Sequence, residues 1–210
     1  MQAANGEGQA LTPGEGWEAI YETMERGRSS MYLAGTTTIL LLWGVIVSLG
    51  YFSQYAIETF APGFAAERPW FPGPVWGVLA AAGITGSAII GSRASSGIAA
   101  GAAARSAGIR VFLYWLAVVL AAFCITAGSG MWNGGSGEQI QGVVVGIVAL
   151  GFVLFGIMHQ PMLAAVGVGI AAAYYLPHHF AGDGALAVSA SSMLAVALLG
   201  AAWARKSGVR

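Results

Sequence analysis

Apolar residues in this chain come in long runs separated by short polar intervals, with strict alternation nowhere sustained. The first run, "MYLAGTTTILLLWGVIVSLGYFS", occupies 31–53, and five more follow at 74–91, 109–127, 141–157, 161–176 and 185–204. A helix crossing a bilayer needs roughly 17 to 25 mostly apolar residues, each adding about 1.5 Å to a path of about 30 Å. The pattern therefore predicts an all-α polytopic membrane bundle of six transmembrane helices. The fourth and fifth runs are nearly continuous, and one helix from Gln141 to Leu176 would be about 54 Å long, far more than the hydrocarbon needs. "MHQ" (158–160) followed by Pro161 breaks it, because proline is accommodated at the first turn of a helix, where its missing N–H costs nothing.

Ahead of the first run the period changes. Trp17, Ile20, Tyr21 and Met24 fall at i, i+3, i+4, i+7, one apolar stripe on a helix. Glu15, Glu18, Glu22 and Glu25 fill much of the other face, and Arg26 and Arg28 close the segment, an order that suits the helix dipole. Residues 14–30 are expected to form a short amphipathic cytoplasmic helix after a disordered tail, 1–13. Such a short helix is marginal alone in water and needs a surface. A lipid-binding helix is usually rich in Lys and Arg on its polar face, so four glutamates make membrane lipid a poor surface for it. The inner face of its own bundle, with Arg93, Arg105 and Arg110, or a cytoplasmic protein partner fits better, with Trp17, Ile20, Tyr21 and Met24 as the candidate docking face.

Composition agrees with the runs. Hydrophobic residues are 57% of the chain and charged residues 9%, against about 25% charged in a soluble domain. Net charge is zero, so no basic field draws nucleic acid. The basic residues also fix an orientation, because Lys and Arg collect in cytoplasmic loops. With six spans and a cytoplasmic N-terminus, every Lys and Arg but Arg68 lies inside, including the tail 205–210. The expected location is the bacterial cytoplasmic (inner) membrane, both termini cytoplasmic. Residues 1–30 lack the basic lead and apolar core of a signal peptide, so the first span is expected to act as an uncleaved anchor.

Glycine numbers 32, about twice the usual roughly 7%. Lipid gives helices no hydrophobic reason to associate, so small residues that let backbones approach become the packing device. Gly142 and Gly146, with Gly167 and Ala171, have the small-x-x-x-small spacing and are candidate packing positions, within the chain or in a homo-oligomer. Trp70, Trp76, Trp115, Trp132 and Trp203 lie near span ends and read as interfacial anchors, whereas Trp43 reads as a packing residue. Cys124 reads as a small buried hydrophobe.

Catalytic chemistry is sparse. All nine acidic residues fall outside the six runs, which argues against a proton-coupled path. His159 and the pair His178, His179 lie about 28 Å apart along one helix, and adjacent histidines lack the spacing of a metal site, so no cofactor or metal is expected. "GGSG" (134–137) has the G-x-S-G form of a rhomboid protease, but the last run carries no histidine to serve as the base. A flexible loop is the simpler expectation. Thr36, Thr37, Thr38, Ser189 and Ser191 could line a neutral-solute path or bond back to their own helices.

"AIYETMERGRSSMYLAG", "LLWGVIVSLGYF", "PVWGVLAAAG" and a basic inner loop leading into "VFLYWLAVVLA" together resemble a family of small uncharacterised six-span bacterial membrane proteins. The resemblance covers 14–204 and departs from many members in its Ala/Gly richness and its Gly/Ala/Ser inner loop. It implies an acidic pre-helix, about six spans and, because family genes often neighbour a winged-helix regulator, a regulated membrane function. It transfers no catalytic or ligand residue. The function expected is a non-enzymatic membrane component acting through self-association or a cytoplasmic partner. The alternative is a small permease, or the membrane subunit of an exporter moving a neutral or apolar solute.

Overall fold

A computed structural model describes the backbone of residues 13–96 and 102–207 and the side chains of 35–93 and 108–206. The helices are α1 (Pro13–Phe60), α2 (Pro62–Glu67), α3 (Pro72–Ser96), α4 (Ala102–Gly128), α5 (Met131–Gly134), α6 (Gly137–His159), α7 (Pro161–Phe180) and α8 (Ala185–Ser207), with a 3₁₀ turn at Gly182–Gly184 before the last. Among the described residues, six stretches are long and apolar enough to cross a membrane: Gly35–Phe60, Pro72–Arg93, Gly108–Gly128, Gly137–His159, Pro161–Phe180 and Gly182–Lys206. The chain is an all-α, multi-pass membrane protein. The described chain enters and leaves the bundle at one end, here the proximal end; the 61–71, 129–136 and 181–184 connections form the distal end.

Two boundaries differ from the sequence expectation. The expected break between a pre-helix at 14–30 and a span starting at 31 is absent: α1 is one helix of 48 residues. The physical reason is cooperativity, since the span supplies the costly nucleus and the segment before it, with no proline between Glu15 and Ser53, only has to propagate. Residues 1–12 and the side chains of Trp17, Ile20, Tyr21 and Met24 lie outside the described residues. At the distal end the spans run further than the apolar runs. Gln54 and Glu58, placed in an outer loop by their polarity, belong to the last turns of α1, and His178 and His179 belong to α7. Terminal turns at headgroup depth tolerate polar side chains, so helix and hydrophobicity end at different residues.

The turn between the fourth and fifth spans falls where Pro161 predicts. α6 ends at His159, Gln160 caps it by donating its N–H to Gly156 O at 2.8 Å, and Pro161 opens α7. Ser136 is the N-cap of α6 in a reciprocal capping box with Gln139, so the serine of "GGSG" satisfies helix N–H groups.

Lateral order is not the order of the sequence. The neighbours are α3 against α1, α1 against α8, α8 against α7, α7 against α6 and α6 against α4. The four inner helices, α1, α8, α7 and α6, share a core in the distal half. Tyr51, Ala173, Tyr174, Ala190 and Met193 are its buried residues, with Val47, Val145, Ile170 and Leu186 against them. A second cluster, Phe155, Met162, Leu163 and Ala204, lies towards the proximal end with Tyr114 and Phe152 against it. α3 and α4 flank this group and keep most of their surface exposed.

Close approach depends on small residues. Gly44 of α1 lies against Ala197 of α8, and a Cβ on Gly167 of α7 would stand 2.7 Å from Ala149 O and 2.8 Å from Val153 N of α6. The tryptophans divide differently from their expected roles. Trp70, Trp132 and Trp203 are exposed, but Trp76 packs on Tyr51 with ring centroids 5.2 Å apart and Trp115 packs on Phe152 at 4.7 Å. Proximity to a span end does not distinguish a ring facing lipid from one facing a neighbouring helix. Trp43 donates its indole N–H to Ser87 Oγ at 3.0 Å, joining α1 to α3. Cys124 is on the exposed face of α4, not buried.

Candidate functional site

Several polar groups of the four inner helices gather at their distal end. On α1, Ser48, Tyr51, Gln54 and Glu58 recur at three- and four-residue intervals and so share one face. Ser48 Oγ donates to Ala190 O of α8 at 2.8 Å, Tyr51 is buried, and Gln54 Nε2 donates to Glu58 Oε1 at 3.0 Å. On α6, Glu138 and Gln141 are one turn apart. Gln141 Nε2 donates to Gln54 Oε1 at 2.7 Å, linking two helices that are not packed along their length. On α7, Tyr174 donates its hydroxyl to Glu138 O at 3.2 Å, and Tyr175 donates to Gly142 O at 2.7 Å.

Aromatic rings run through the same level. Trp76 meets Tyr51, Tyr51 meets Tyr174 at 5.9 Å, and Tyr174 stacks on His178 at 4.0 Å. His178 Nδ1 lies 2.8 Å from Tyr174 O and 3.4 Å from Ser189 Oγ, and Ser189 is fully buried. These contacts bind α3, α1, α7 and α8 together. One group is left over: Gln141 Oε1 is buried and accepts no hydrogen bond among the described residues. An unmet acceptor of this kind costs about 1–3 kcal/mol. Its orientation is fixed by the chain, because turning the amide over would oppose the carbonyl oxygens of Gln141 and Gln54.

The small residues singled out from the sequence have assigned neighbours. Gly142 and Gly146 lie beside the tyrosines of α7: a Cβ on Gly142 would be 3.7 Å from Tyr174 Cε1, and one on Gly146 would be 2.6 Å from the Tyr175 hydroxyl. Gly167 is the crossing point of α7 on α6, and Ala171, one turn on, is partly buried. The hydroxyls split: Ser191 bonds back to Ala187 O of its own helix at 2.9 Å, whereas Ser189 reaches His178 across to α7. No group of three or more His, Cys, Asp or Glu suited to a metal occurs among the described residues.

Sequence reasoning passed over Tyr51, Gln54, Gln141 and Tyr174. The signal was present in the three- and four-residue spacing of Ser48, Tyr51, Gln54 and Glu58, which starts in the first apolar run and continues past its end. Fold and site together define a multi-pass helical membrane protein with a polar, aromatic closure at one end of its core. Comparison with protein-family models, with curated proteins and with solved structures finds no match.

Proposed function

We propose that the protein is a non-enzymatic membrane component that works through contacts, the extension of α1 being the part that meets a cytoplasmic protein partner or a second copy. The observation supporting this is the length of α1. The helix begins at Pro13 whereas the first apolar run begins at Met31, so the acidic, amphipathic segment lies roughly 10–25 Å beyond that run along the helix axis. A helix continued along its own axis is badly placed to fold back on the arginines of the same bundle, which favours an external surface. Termini on the cytoplasmic side of a bacterial inner membrane complete the proposal, on the strength of the Lys and Arg distribution.

The test is affinity purification of the intact protein from its native membrane in mild detergent, beside a Trp17→Ala, Tyr21→Ala double variant, with mass spectrometry of what co-elutes. A protein, or an oligomer of this chain, present with the parent and lost with the variant is expected. Equal recovery from both would overturn the proposal. The second reading, a small permease or exporter subunit for a neutral or apolar solute, draws support from the unmet acceptor of Gln141 at one mouth of the core. A co-eluting ATPase, or solute flux in liposomes that survives the double substitution, would put it first.

A further inference from the structure

The neighbours sort the six spans into two groups. α3 packs on α1 and α1 on α8; α4 packs on α6 and α6 on α7. α8 against α7 is the packed pair that joins the groups, while α1 and α6 are not packed along their length. Inside each group backbones approach closely: a Cβ on Gly156 would run into the backbone of Ala164, and Gly44 lies against Ala197. Across the α7/α8 seam, Gly169 and Gly200 meet side chains instead, those of Val196 and Val166. Hydrogen bonds follow the same division. Trp43 to Ser87 and Ser48 to Ala190 O lie within the first group; Tyr114 to Gly151 O, Tyr174 to Glu138 O and Tyr175 to Gly142 O lie within the second. The contacts of Gln141 with Gln54 and of Ser189 with His178 cross from one group to the other, and both lie at the distal end. The 181–184 turn, by which the chain itself crosses from α7 to α8, lies there too.

Towards the proximal end the groups meet through apolar side chains, Leu40, Ala197 and Ala204 of the first against Phe152, Leu163 and Val166 of the second. Lipid tails are as apolar as these side chains, so parting them forfeits packing that lipid largely restores. Parting hydrogen-bonded groups within hydrocarbon leaves donors and acceptors unmet, which is far more costly. The interface is therefore pinned at one end and separable at the other. We propose that the two groups are rigid bodies hinged at the distal end, and that the proximal half of their interface opens and closes about that hinge. From Gln54 to Gly35 is about 28 Å along α1, so a rotation of about 10° parts the proximal ends by about 5 Å, room for water to enter. Motions of this kind between packed helical bodies occur in microseconds to milliseconds. The α1 extension belongs to the first group and lies beyond the end that moves, but the proposal does not depend on the role given to it.

The experiment is thiol labelling of the purified full chain in mild detergent with N-ethylmaleimide, followed by mass spectrometry. The background is Cys124→Ser, because the native thiol is exposed. Val166 and Ala173 lie two turns apart on the same face of α7, in the proximal and distal halves of the interface, and are 4% and 6% exposed. The closed structure hides both, so it gives Val166→Cys and Ala173→Cys no difference in rate. Opening at the proximal end makes Val166→Cys react about tenfold faster or more, because local opening free energies differ along one helix. Equal rates overturn the proposal, whether both thiols stay unreactive until the protein is denatured or both react together. Faster reaction at Ala173→Cys overturns it as well. If either variant elutes as aggregate, Ala204→Cys against Ala190→Cys makes the same comparison on α8, from positions 1% and 0% exposed, with the same outcomes for and against.

Discussion

Gly167→Ala is the smallest change that tests how α6 and α7 meet. The added methyl would stand 2.7 Å from Ala149 O, 2.8 Å from Val153 N and 2.9 Å from Phe152 Cβ. Two of those three atoms are backbone, so no side-chain rotation relieves the overlap. Restoring ordinary contact requires the helices to separate by about 0.7 Å at the crossing, and overpacking of this kind costs about 1–3 kcal/mol. Working the other way, Ala is the better helix former by about 0.5–1 kcal/mol. Packing wins, for a net loss of about 1–2 kcal/mol. Gly77→Ala on α3 is the control, because a Cβ there meets nothing within 4 Å, so only the propensity term acts and stability holds or rises slightly. The assay is thermal unfolding in one detergent followed by size-exclusion chromatography of the soluble fraction. Gly167→Ala should melt several degrees below the parent and Gly77→Ala at or above it. A Gly167→Ala protein as stable as the parent would refute the backbone approach.

Two further outcomes follow from single contacts. Trp43→Phe and Ser87→Ala should each loosen α3 from α1, with a double-mutant coupling of about 0.6 kcal/mol, the usual size for a polar contact between membrane helices, measured from the melting of the four proteins; zero coupling would mean that the 3.0 Å bond is not formed. Ser136→Ala removes the capping box of α6 and should cost about 1 kcal/mol, visible as faster amide exchange confined to the first turn of α6, whereas exchange unchanged there would show that the cap contributes nothing.

Much of the membrane domain is written in the apolar runs, because hydrocarbon leaves a spanning backbone little choice but to be helical. The division at Pro161 is equally visible, since proline marks a helix start by chemistry. The ends of the spans are less visible: Glu58 and His178 look like loop residues to a hydropathy scale, but helix geometry persists at a depth where water and headgroups solvate them. Lateral order is not visible, for hydropathy says that a face is apolar and not whether lipid or another helix covers it. Trp76, Trp115 and Cys124 show this: two rings expected at the interface are packed on neighbouring helices, and a thiol expected to be buried faces outward. The distal site was legible only in part. Gly142, Gly146 and Gly167 announced close approach by their spacing, but the Gln54–Gln141 bridge joins residues 87 apart in sequence, and nothing in either local segment points to the other.

The most direct test of the contact-based role is photo-crosslinking in living cells, with a photoreactive residue placed in turn at Trp17, Tyr21 and Met24 on the apolar stripe and at Glu18 and Glu22 on the acidic face. Crosslinks from 17, 21 and 24 to one discrete protein, this chain or another, with little from 18 and 22, are expected. Crosslinks from the stripe only to residues of the same bundle, or to no protein at all, would contradict the assignment of the α1 extension as a docking element.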